Sequence, residues 1–172
     1  MKKIIRYSLL GLLMALTIYY FWPENQLTPG QKIDKLVVNK EQHTMDVYFK
    51  EELIASYNIS LGSYKWPHAK YGPFFSHPIG KKTLEGDRKT PEGTYVARWY
   101  SQGKYKPSLL LNYGCSNCDE GGNILLHGPK VPLIGKVQRW VDWTEGCIAL
   151  TQTEIEEIYN AVDYKCKIII NP

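Results

Sequence analysis

Two residues in this 172-residue chain have the types and surroundings for nucleophilic chemistry, Cys147 and His127. Cys147 lies in Asp142-Trp143-Thr144-Glu145-Gly146-Cys147-Ile148-Ala149-Leu150, after a glycine and before an apolar triplet. His127 ends the apolar run Ile124-Leu125-Leu126 and is followed by Gly128 and Pro129. A histidine at the end of an apolar strand can face a cleft. There its imidazole can take the proton of a neighbouring thiol, and the thiolate then attacks a carbonyl carbon. Gly146 lets the backbone turn tightly and leaves the amides of Gly146 and Cys147 to point at a developing oxyanion. The same residues also fit a second reading, a buried free thiol beside a satisfied core histidine. Thr144 can hydrogen-bond within the loop or to substrate, and Trp143 can pack the loop or line a groove.

The remaining cysteines and histidines carry weaker signals. Cys115 and Cys118 form C-x-x-C, which outside the cytoplasm reads as a local disulfide. No βαβ pattern surrounds it, so a redox motif is not the reading. Cys166 is then the odd thiol, expected to be buried on the last strand. A rival reading gathers Cys115, Cys118, His127 and Cys147 into a zinc site that stabilises a non-catalytic, wall-binding module. His43 falls in a hairpin-like turn, and His68 and His77 in a long loop; each reads as a solvated histidine.

Several strands must position the pair. Residues 36–39 and 44–49 are short β candidates, the second alternating with Met45, Val47 and Phe49 on one side. Residues 53–61 continue as an antiparallel strand, and 94–100, 109–112, 123–127 and 165–171 complete the set. Residues 63–89 are rich in Gly and Pro without a period, a length of loop that usually borders a functional site. One helix is expected, because Ile155, Ile158, Tyr159 and Val162 form a single apolar stripe. Thr151 with Glu154, or Thr153 with Glu156, offers a capping box at its start. The expectation is a mainly β domain, a sandwich or open barrel with one C-terminal helix.

Hydrophobic residues make up 44%, charged residues 22% and aromatics 13%, the profile of a globular β-rich body. Three of the four net positive charges stand at the N-terminus, on Lys2, Lys3 and Arg6. From Pro23 onward 18 basic residues face 17 acidic ones, which leaves no basic footprint for nucleic acid. After Arg6 comes an uncharged, mostly apolar run of 16 residues, 7–22, ending in Tyr19, Tyr20, Phe21 and Trp22. Positive charge before an apolar run is the layout of a signal or signal anchor. No small-residue cleavage site is visible, so a retained membrane helix is expected. Either form places the rest outside the cytoplasm, in the periplasm or on the wall side. The domain reading is therefore 1–22 anchor or signal, 23–34 linker, and 35–172 catalytic domain.

His127, sixteen intervening positions that begin with Gly128, then Thr144-x-Gly146-Cys147 resembles the catalytic motif of the L,D-transpeptidase (YkuD-type) family. Gly86-Asp87-Arg88-Lys89-Thr90-Pro91-Glu92-Gly93-Thr94-Tyr95 is similar to that family's Gly-Asp-x-x-Thr-Pro-Glu-Gly-x-Tyr signature. The segments 59–62 and 108–113 match its earlier and middle strands. Many members carry His where this chain has Glu145, and Arg or Asn just after the Cys, where this chain continues with Ile148. That form is similar to the smaller murein-transpeptidase branch. The resemblance implies a cell-wall enzyme acting on peptidoglycan stem peptides, with no cofactor and no metal. It implies Cys147 as the nucleophile forming a thioester, with D-alanine released, and His127 as general base and then acid. A backbone carbonyl would orient the imidazole, and Gly146 would lend an oxyanion amide. Thr144 is a further candidate, and Trp143, Gly128 and Glu145 are expected to contact substrate. The acceptor is expected to be an amine, with hydrolysis of the same linkages by an L,D-endopeptidase or amidase as the alternative. Asp87, Thr90, Pro91 and Gly93 read as a structural turn at the site border.

Overall fold

Alternation builds the first half of the sheet. In the antiparallel meander β1 (Ile33–Asn39), β2 (Thr44–Phe49) and β3 (Glu52–Asn58), the residues Leu36, Val38, Met45, Val47 and Tyr57 are buried. Their neighbours along each strand are exposed or half-exposed, as a sheet with one covered face requires. Phe49 is only half-buried, because the register slips between Val47 and Tyr48. The structure, a computed structural model, describes residues 2–21, 26–63, 82, 86–114, 123–129 and 141–172.

Five more strands complete one sheet: β4 (Gly93–Tyr100), β5 (Ser108–Leu111), β6 (Leu125–His127), β7 (Ile148–Ala149) and β8 (Val162–Asn171). The order is β3-β2-β1-β8-β4-β5-β6-β7. The last strand therefore lies mid-sheet, parallel to β1 and antiparallel to β4, with Cys166, Ile168 and Ile170 buried. A second parallel pairing joins β6 to β7. Past β3 the chain crosses to the far edge, where Ser60 bridges Ala149 and Gly62 bridges Thr144. The two edges thus meet, and the result is one curled sheet rather than two stacked ones.

Helix α2 (Gln152–Ala161) fills the concave face. It starts as expected: Thr151 Oγ1 accepts from Glu154 N at 3.3 Å, and Glu154 Oε2 accepts from Thr151 N at 2.9 Å. Ile155 and Ile158 are fully buried against the sheet, and Glu157 accepts from Tyr57 Oη at 2.9 Å.

The N-terminal run folds as helix α1 (Lys2–Phe21). Leu9, Leu10, Leu12, Leu13 and Met14 are each more than half exposed, so the helix covers no core. Among the described residues no helix is long and apolar enough to cross a membrane, which corrects the expected membrane helix. The physical reason is length: charge fills the first turns, and the apolar run left falls short of the ~20 residues that a bilayer core requires.

Candidate active site

The register of β6 and β7 brings the two candidate residues onto neighbouring strands. Leu126 pairs with Ile148 and His127 with Ala149, so Cys147 stands level with Leu125. Leu126 and Ile148 point into the core. Side chains alternate, so His127 and Cys147 both point to the opposite, convex face. A strand spacing of ~4.8 Å and a two-residue offset of ~6.6 Å put their Cα atoms about 8 Å apart, as diagonal neighbours on one face.

His127 is held on every side. It is 1% exposed, its ring stacks on Tyr105 at 4.0 Å, and Trp143 meets it edge-on at 5.5 Å. Nδ1 lies 2.6 Å from Gly128 O. A carbonyl oxygen can only accept, so Nδ1 carries the proton and Nε2 is the bare, basic nitrogen. Burial pushes the imidazole pKa down to about 4; the Gly128 carbonyl opposes this and Lys104 adds to it. Burial likewise pushes the Cys147 thiol up, the nearby Glu145 carboxylate adding to it, while a backbone hydrogen bond at Leu125, Lys82 and Lys104 oppose it. The thiol points to Asn123 O at 3.7 Å. At rest the pair is therefore neutral, thiol and imidazole, rather than thiolate and imidazolium.

Thr144 shapes the loop that presents Cys147. Its Oγ1 donates to Cys147 O at 2.7 Å and accepts from Gly146 N at 3.2 Å. The Gly146 amide, expected to face an oxyanion, is buried and donates to Thr144 Oγ1. Gly146 is required for another reason. It has φ +115°, and a Cβ there would come within 2.8 Å of Lys89 O. Gly128 is closely packed as well. A Cβ on it would meet Gln152 Oε1 at 2.5 Å and Ile155 Cγ2 at 3.2 Å, so it is a packing point for α2 and an acceptor for His127. Trp143 is half-buried against His127, and Glu145 is exposed and paired to Arg88 at 3.2 Å.

The Gly86–Tyr95 signature is a rigid border, as its turn chemistry indicates. Asp87 Oδ1 accepts from Lys89 N at 3.0 Å and from Lys82 Nζ at 2.7 Å. Thr90 Oγ1 accepts from Gly62 N at 3.3 Å, and buried Lys40 pairs with Glu92 at 2.7 Å. A Cβ on Gly62 would stand well inside contact distance of Arg88 O and 3.0 Å from Gly146 Cα. The border loop, the Gly62 turn and the Cys147 loop therefore touch as three backbones.

Sequence reasoning missed two groups. Asp142 is 5% exposed; it accepts from Leu61 N at 2.7 Å and lies 2.9 Å from His43 Nε2. His43 is thus paired rather than merely solvated. Tyr105, flanked by Lys104 and Lys106, covers His127 from the β4–β5 loop; an aromatic between two lysines is a signal only once β5 is known to pair with β6. Cys166 is buried on β8, with its thiol pushed up to about 12 by burial and Asp34. Cys115, Cys118, His68 and His77 lie outside the described residues. No cluster of three His, Cys, Asp or Glu forms a metal-ligand group among the described residues.

The fold is shared with several solved proteins. The helical cell shape determining protein Pgp2 from Campylobacter jejuni superposes with a TM-score of 0.58 at 23% identity, over 87% of this chain and 52% of that one. Bd1075 from Bdellovibrio bacteriovorus gives 0.52 at 22%, over 85% and 50%. An L,D-transpeptidase from Xylanimonas cellulosilytica gives 0.50 at 9%, over 84% and 63%. The chain thus spans about half the length of the first two. No curated protein matches it by sequence. The L,D-transpeptidase catalytic domain family (YkuD) matches residues 33–170, a span that holds His127, Cys147 and the loops that press on them, and the chain belongs to that family.

Proposed function

We propose that the chain modifies peptidoglycan by cysteine acyl transfer from a stem tetrapeptide to an amine. The observation that carries this reading is the diagonal placement of His127 and Cys147 with the Nδ1 proton held by Gly128 O. Nε2 then takes the thiol proton as Sγ attacks the carbonyl carbon, and negative charge gathers on the carbonyl oxygen opposite the Cys147 amide. Collapse expels the amine of the terminal D-alanine, which leaves with the proton from His127, and a thioester remains on Cys147. The acceptor amine gives its proton to Nε2 and attacks the thioester, which frees the thiol. Neutral partners suit this sequence, because the proton moves only as the new bond forms.

Export belongs to the same proposal. Lys2, Lys3 and Arg6 followed by an apolar helix that covers no core support transfer of the body to the extracytoplasmic side. Wall modification there would bear on cell shape, the property named for the C. jejuni protein. The test is mass spectrometry of muropeptides after incubation with the protein. New dimers joined between two diamino residues support transfer, whereas shortened or released peptides alone would assign hydrolysis and overturn the amine acceptor. Fractionation of cells tests export; protein confined to the cytoplasm overturns it.

A further inference from the structure

We propose that Arg88 is a carboxylate-binding residue for the acyl donor, with Glu145 occupying its place in the free enzyme; this rests on the acyl-transfer reading above. Arg88 lies in the border loop, and its carbonyl abuts Gly62 beside Gly146. Its φ is +62°, a conformation that a non-glycine residue adopts at a cost and that tends to persist at functional sites. The side chain is 16% exposed, yet its partner Glu145 is 71% exposed. Among the described residues only Nη2 is engaged, with a single Glu145 oxygen at 3.2 Å. Nη1 is buried and has no hydrogen-bond partner among the described residues. A guanidinium presents paired N–H donors whose geometry fits both oxygens of one carboxylate. Here one arm is taken by an exposed surface acid and the other has no partner among the described residues. That is the arrangement of a recognition site filled by an internal stand-in. Glu145 directly precedes Gly146 and Cys147, so a carboxylate that replaces it enters beside the nucleophile.

Two carboxylates of a stem tetrapeptide share this chemistry: the terminal α-carboxylate of the leaving residue, and the free carboxylate at the D-centre of the diamino acid. Binding to the Cys147→Ala protein is measured by calorimetry for the free tetrapeptide and for peptides amidated at one or the other position. Loss of tenfold or more in affinity on amidating one position, abolished in the Cys147→Ala, Arg88→Gln double variant, supports the proposal and names the carboxylate. Arg88→Lys should keep part of the discrimination, and Glu145→Gln should tighten binding of the free acid severalfold. Equal losses for acid and amides on Arg88→Gln, or no loss, would overturn it, provided that iodoacetamide still alkylates Cys147 in the single Arg88→Gln variant. Failure to alkylate there moves the decision to Arg88→Lys, for which unchanged discrimination between acid and amides overturns the proposal. Binding discrimination without turnover by the native chain would count against the acyl-transfer reading and leave Arg88 in place.

Discussion

Thr144→Val isolates the hydroxyl that shapes the nucleophile turn, because valine keeps the volume and removes the oxygen. That oxygen donates to Cys147 O at 2.7 Å and accepts from Gly146 N at 3.2 Å. Gly146 is buried, so its amide would be left without a partner, at a cost of about 1–3 kcal/mol. The Cys147 carbonyl retains access to other donors and adds less, about 0.5–1 kcal/mol. A total near 2–3 kcal/mol corresponds to a fall in Tm of roughly 5–10 °C for a domain of this size. The turn also holds the nucleophile, so acylation by a carbapenem should slow tenfold or more, about 1.4 kcal/mol of lost positioning. Thr144→Ser keeps the oxygen and should lose only about 1 kcal/mol of packing, with its acylation rate near that of the native chain. Differential scanning calorimetry and stopped-flow acylation supply both readouts. A Thr144→Val protein with native Tm and native acylation rate would refute the reasoning, since the two hydrogen bonds would then carry neither stability nor geometry.

The electrostatics of His127 predict that the acid limb of Cys147 acylation falls near pH 4 rather than near 6.5, because the rate needs the neutral imidazole; a limb at 6.5 would contradict a buried base. The same shift means that the unfolded chain takes up this proton near pH 6.5 and the folded one only near 4. Stability should therefore fall by up to about 3 kcal/mol as pH drops through that window, and His127→Gln should flatten the fall in urea titrations. His43 shifts the other way: its bond to Asp142, opposed by burial, raises its pKa, so its contribution is full below 6.5 and is lost as pH rises through the raised value. His43→Gln should remove that alkaline decline, and a decline that persists in the variant would show that the Asp142 contact is not its source. Gly62→Ala should destabilise the fold by about 1–3 kcal/mol and slow acylation, since the added carbon drives Arg88 and the Gly146 turn apart; a native acylation rate would show that the three-backbone contact is slack.

Much of this architecture is written in local pattern. β2 was legible in its full extent because Met45 and Val47 alternate with half-exposed residues, and α2 because its apolar stripe follows a Thr-x-x-Glu box. β7 was not legible, since two residues carry no period, and it is defined only by pairing with β6. The start of β8 was missed because Asp163, Tyr164 and Lys165 are all exposed and show no alternation. Its place in mid-sheet depends on pairing with strands distant in sequence, which no local window records. In the candidate site, Cys147 and His127 stand out in sequence by their neighbours and their motif, and the β6–β7 register places them close. The commitment of the Gly146 amide to Thr144 was not legible, because the same Thr-x-Gly-Cys spacing permits either an internal or an outward hydrogen bond. The His43–Asp142 pair joins residues 99 positions apart and follows only from the closure of the sheet.

The central claim is that the Cys147 sulfur carries the acyl group. It is tested most directly by quenching a reaction with stem tetrapeptide in acid, then measuring the intact protein mass and mapping the modified peptide. The account predicts one adduct, equal to the tetrapeptide less its terminal D-alanine, on the peptide holding Cys147, absent in Cys147→Ala and accumulating far more slowly in His127→Gln. An adduct on Cys166 or another residue, or turnover in Cys147→Ala, would contradict it.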